Sequence, residues 1–185
     1  MSIRQTALLA VICLFAGCGG TSTEVPGLQK LQSTSVLLRR AGSLSAAVAA
    51  DTTSVDRGMT KDRARYVRRQ AARLLVDSMR LKTVDGRALK ALAPLPARLS
   101  GPARQYAWAL ISALRTQKHE AGALISVGRR IRIDPLLERN GSLKVLGTEL
   151  QARRDAARVS VDLRRAARIR RAHPKAFTYV PQSNG

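Results

Sequence analysis

Several residue types are scarce in this 185-residue chain, and each scarcity narrows its function. Aromatic side chains make up 3% of the residues. Proteins that grip single-stranded nucleic acid stack bases on aromatic platforms, so few rings argue against that class. Histidine occurs twice, at His119 and His173, and neither lies in an HExxH spacing. Cysteine also occurs twice, at Cys13 and Cys18. No pair or cluster has the spacing of a zinc site. No GxSxG, Walker or GxGxxG motif occurs, and the 12 acids are scattered without marking a glycosidase-like carboxylate pair. The expectation is a protein that is not an enzyme, with no catalytic residue, metal or cofactor.

Positive charge is abundant. Lysine and arginine number 33 against those 12 acids, a formal net charge of +21. Such a chain repels itself, stays soluble and draws in polyanions.

The first residues, MSIRQTALLAVICLFAGC, have the three parts of an export signal. The amino terminus and Arg4 form a weak basic region. Ala7 to Ala16 is an unbroken apolar run, too short to span a bilayer core of about 20 residues. Small residues then precede Cys18. Phe15-Ala16-Gly17-Cys18 resembles the lipobox of bacterial lipoproteins, although Phe15 stands where the family usually has leucine. The resemblance covers only residues 1–18. It implies that residues 1–17 are a cleaved signal peptide and that Cys18 carries a diacylglyceryl group. Acylation then anchors the chain stably, since two acyl chains do what one cannot. It also implies an extracytoplasmic, membrane-bound envelope protein, and Gly19 is not the aspartate that would retain it at an inner membrane. Removing residues 1–17 leaves 168 residues, enough for one domain with a real core. No thiol then remains for a disulfide, so packing alone must hold the fold.

Residues 18–27 read as the lipidated cysteine and a Gly/Pro-punctuated tether. Residues 28–173 read as an all-α domain of four to five helices, and 174–185 as a loose tail. Leu28 to Ala50 is a helix, with Leu37, Ala41, Leu44 and Val48 on one face. Asp51 to Ser54 is a connection, and Thr60 caps the next helix. Lys61 to Leu81 is strongly amphipathic, and its arginines lie opposite Val67, Ala71, Leu74 and Leu75. Thr83 to Leu99 is a connector with a turn at Asp85-Gly86 and a stop at Pro94. Ser100-Gly101-Pro102 opens a helix that runs to about Ile131, either whole or broken near Gln117–Gly122. Trp108 flanks its stripe as a core-edge anchor, and His119 is a surface histidine. Asp134-Pro135 repeats the cap-then-proline start. Ser142 to about Arg171 is a long helix, its first half buried on two sides through Leu143, Leu146 and Leu150.

Arg154, Arg158, Arg164, Arg165, Arg168 and Arg171 cluster on that last helix, away from its apolar stripe. These six are the candidate polyanion-binding residues, and Cys18 is the candidate lipid attachment. Arginine pairs bidentately with phosphate, and the partners it points to are anionic lipid headgroups or phosphate-bearing wall polymers. A solvated basic face with no ligand is the plainer alternative. Two further readings stand beside it. One is a cytosolic basic nucleic-acid-binding protein, which requires the leader to be something else. The other is an adaptor whose apolar stripes bind a partner helix.

Overall fold

In the computed structural model, residues 25–61, 63–135 and 143–177 are described, with side chains given for 26–59, 61, 63–135 and 148–177. The leader, Cys18 and the tether up to residue 24 lie outside the described residues. The fold is an all-α bundle with no strand among the described residues. A short α1 (Val25–Ser33) leads into four long helices: α2 (Ser35–Thr60), α3 (Ala64–Leu92), α4 (Gly101–Ile133) and α5 (Leu143–Ala172). Single 3-10 turns, Leu95–Ala97 and Pro174–Phe177, follow α3 and α5.

Each long helix packs mainly on its neighbours in the chain, and successive helices run antiparallel. Gly58 near the end of α2 lies against Tyr66 and Val67 at the start of α3. Gly128 of α4 lies against Ala71 and Leu75, while Gly86 of α3 faces Lys118. Ser112 of α4 bonds Asp162 of α5, and His119 meets Asp155. Leu74, Leu81, Leu92, Leu95 and Val67 are the largest fully buried apolar side chains. Each such burial is worth roughly 1.5–3 kcal/mol. Alanines 71, 88, 107 and 121 are fully buried too, so the helices approach closely. The central α4 buries a broad arc of its surface, including Ala103, Tyr106, Leu110, Leu114, Leu124 and Ile131.

Several boundaries differ from the sequence expectation, each for a physical reason. Asp51 to Ser54 is not a connection but a stretch of α2. The hydroxyls of Thr52, Thr53 and Ser54 donate to the carbonyls of Val48, Ala49 and Ala50 one turn back. That satisfies them within the helix instead of opening a turn. The real interruption is at Thr34, and it is slight. Thr34 N–H still donates to Lys30 O, and Leu38 N–H to Thr34 O. Thr60 ends α2 instead of capping α3, and the N–H of Lys61 closes the end on Gly58 O.

Helix α3 runs straight through Asp85-Gly86 to Leu92. Leu81, Val84, Ala88 and Leu92 continue its buried stripe at helical spacing, and that burial overrides the local turn preference. Pro94 then ends it, as its missing donor requires. Ser100 is extended, Gly101 takes φ +45°, and Pro102 sits in the first turn of α4. Helix α4 is unbroken through Gln117–Gly122. Asp134 closes α4 in an extended conformation, its N–H donating to Arg130 O; residues 136–142 lie outside the described residues. Residues 25–27, expected in the tether, belong to α1 (Val25–Ser33), which buries Gly27 and Leu28. Gly27 lies against Leu99. Residues 174–177, expected in the loose tail, form a 3-10 turn whose Phe177 stacks edge-on against Tyr106 with ring centroids 5.0 Å apart.

Candidate functional site

Helix α5 sorts its charges by face. Ala152, Val159, Ala166 and Ala167 are buried against the bundle. Arg154, Arg158, Arg164, Arg165, Arg168 and Arg171 are all exposed on the opposite side. From the first to the last, this face runs about 25 Å along the helix. Among the described residues, none of the six makes a salt bridge. The acids of α5 are engaged elsewhere. Glu149 pairs with Arg153 one turn away. Asp155 is buried, with Gln151 Nε2 donating to it at 2.9 Å and His119 Nδ1 lying 2.5 Å away. Asp162 accepts from Ser112 Oγ at 2.6 Å. Leu150 is exposed instead of buried on a second side, while Leu143 and Leu146 fall among residues whose side chains are not described. The six arginines therefore share one outward face, as their spacing implies.

A layer of acids crosses the middle of the bundle. Asp85 of α3 is fully buried, and neither carboxylate oxygen has a hydrogen-bond partner. Burial pushes its carboxyl up to about 7; Glu120 nearby pushes the same way and Lys118 opposes. Glu120 of α4 is also pushed up to about 7, by burial first and by Asp155 second. Three helices thus bring Asp85, Glu120 and Asp155 together around the His119–Asp155 contact. His119 is at the surface, as expected, but its partner came from α5, 36 residues on. No spacing in the sequence signals that pairing. Among the described residues, no group of three His, Cys, Asp or Glu is placed to hold an ion.

The antiparallel topology gives the layer a second meaning. Residues 25–50, 86–119 and 163–185 contain fifteen lysines and arginines and no aspartate or glutamate. In the chain these are three separate stretches. In the fold, their described parts gather towards one end of the bundle, where Asp162, level with Ser112, is the one described acid that stands among them. Gly27 touches Leu99, Tyr106 near the start of α4 stacks on Phe177, and Arg170 hydrogen-bonds the Tyr106 hydroxyl. All twelve acids of the chain lie outside these stretches. Asp85, Glu120 and Asp155 mark the border.

The half without acids is also the half at which α1 enters. The chain leads from Cys18 to Val25 at the end of the bundle that holds Arg164, Arg165, Arg168 and Arg171. Trp108, the only tryptophan, lies in this half too. It is not a core-edge anchor: it points outward from α4 and is 52% exposed. The burial arc of α4 faces the other way, through Tyr106, Leu110, Leu114 and Ala121. No helix among the described residues is long and apolar enough to cross a membrane. Compared with protein-family models, curated proteins and solved structures, the chain matches none.

Proposed function

We propose that this protein is a lipid-anchored envelope protein without catalytic activity, held at a membrane through Cys18, with the basic face of α5 turned to phosphate-bearing anions at the membrane surface. The single observation that carries the reading is the coincidence of two ends. The arginine-rich end of α5 lies at the same end of the bundle as the start of α1, which only six residues separate from Cys18. A coil of six residues reaches about 12–15 Å on average. That brings the start of α1, and with it the end of the bundle that carries Arg168 and Arg171, within about two Debye lengths of an anchoring surface at physiological salt. Near an anionic leaflet each arginine contributes about 1 kcal/mol.

The anchor is tested by metabolic labelling with a fatty acid. Label incorporated into the chain and lost in Cys18→Ala supports the reading. An intact Met1 on a chain recovered unlabelled from the cytosol contradicts it and favours the nucleic-acid alternative, whose affinity would fall steeply with salt.

A further inference from the structure

We propose that the acid-free half of the bundle, and not α5 alone, is a bilayer-contact surface, with Trp108 seated in the headgroup layer of an anionic membrane. The inference rests on the anchored reading above and commits it to a lipid surface in preference to a soluble polymer.

The exposed hydrogen bond between Ser112 and Asp162 marks where the α4–α5 seam reaches the surface. One turn from Ser112 towards the anchor end, on α4, stands Trp108. One turn from Asp162 in the same direction, on α5, stands Arg165. The antiparallel pairing sets the indole and the guanidinium side by side on one outer surface. Arg104 and Arg115 lie one turn before and two turns after Trp108 on α4, and both are exposed. Arg164 and Arg168 extend the patch along α5. Among the described residues, Asp162 is the one acid level with this half; it stands at the seam one turn from Arg165, and Ser112 engages it.

The indole discriminates between partners. A soluble polyanion is satisfied by the guanidinium groups, and nothing in it rewards a half-exposed tryptophan. A bilayer interface rewards both. An indole there buries its apolar body while its N–H stays wet, and the arginines meet phosphate around it. Charge complementarity and continuity with the anchor point to the same occupant, an anionic lipid surface.

Trp108 is the only tryptophan in the chain, so it reports on itself. The full lipidated chain is reconstituted into vesicles that carry brominated acyl chains, composed either of phosphatidylcholine alone or of phosphatidylcholine with phosphatidylglycerol. In the anionic vesicles, emission falls about twofold or more and shifts to shorter wavelength. In the neutral vesicles both changes are much smaller. Salt at about 0.5 M, where charges are screened within a few ångströms, reverses them. The Arg164→Gln, Arg165→Gln, Arg168→Gln variant stays anchored but loses most of the quenching.

Equal emission in the two vesicle types, with the protein retained on both, overturns the bilayer contact and leaves the anchor standing. Binding of soluble polyphosphate together with an unquenched Trp108 also overturns it, and assigns the basic face to a polymer. Failure of the chain to stay on either vesicle, with Cys18 unmodified, overturns the anchored reading and this inference with it.

Discussion

The two halves of the bundle are built from the same helices and carry different charge. Towards the α1 end, fifteen lysines and arginines lie in stretches without an acid, and among the described residues Asp162 alone stands level with them, bound by Ser112. In the other half, arginines are matched at intervals. Arg80 pairs with Asp77 at 3.1 Å, Arg153 pairs with Glu149, and Asp56 feels Glu149 and Arg153 together. A net charge of +21 therefore understates how lopsided the surface is. Acids are few, and those nearest the border are turned inward or tied up at the seam. The contrast teaches that charge in this protein is distributed along the bundle axis, which composition alone does not reveal.

The first way to break the comparison is to ask whether the halves differ in packing as well as charge. Leu92 is fully buried in the acid-free half and Leu74 nearly so in the other. If only charge distinguishes the halves, Leu92→Ala and Leu74→Ala each cost about 3 kcal/mol in chemical denaturation. A much smaller loss at Leu92 would mean a looser basic half.

The second concerns the border. Asp85 and Glu120 hold protons in the folded bundle that they release near pH 4 when unfolded. The folded state then binds more protons, so stability falls as pH rises from about 4 to about 7 and stays low above. Asp85 alone accounts for on the order of 4 kcal/mol of that fall. Melting followed by circular dichroism is expected to give a lower midpoint at pH 8 than at pH 5. Asp85→Asn flattens much of the slope.

A smaller effect sharpens the seam. Ser112→Ala removes the surface bond to Asp162 and costs about 0.5–1 kcal/mol in denaturant titration. The smallest effect is expected at the end of the bundle away from α1. Arg129→Gln and Arg130→Gln, exposed near the end of α4, shift stability by no more than about 0.5 kcal/mol.

Much of this was legible in the residues. The apolar stripes of α3, α4 and α5 are periodic enough to define an all-α fold, and the outward face of Arg154, Arg158, Arg164, Arg165, Arg168 and Arg171 follows from their spacing. Turn signals misled where burial opposed them. Asp85-Gly86 sits inside α3 because Leu81, Val84, Ala88 and Leu92 need one continuous buried stripe. Thr52 to Ser54 stay helical because their hydroxyls find carbonyls one turn back. The acid-free half was present in the sequence only as three separate stretches. Nothing short of the antiparallel topology brings residues 27 and 99, or 106 and 177, to one end. The outward direction of Trp108 was equally hidden, since it depends on which arc of α4 the other helices cover.

The most direct test of the central claim compares matched substitutions in the two halves. The chain from residue 19 onward is titrated with phosphatidylglycerol vesicles at low salt. One variant carries Arg164→Gln, Arg165→Gln and Arg168→Gln; the other carries Arg129→Gln, Arg130→Gln and Arg132→Gln. At about 1 kcal/mol for each arginine near the surface, the first set is predicted to weaken binding about 100-fold and the second to change it less than about threefold. Equal losses from the two sets, or none from the first, would contradict the account.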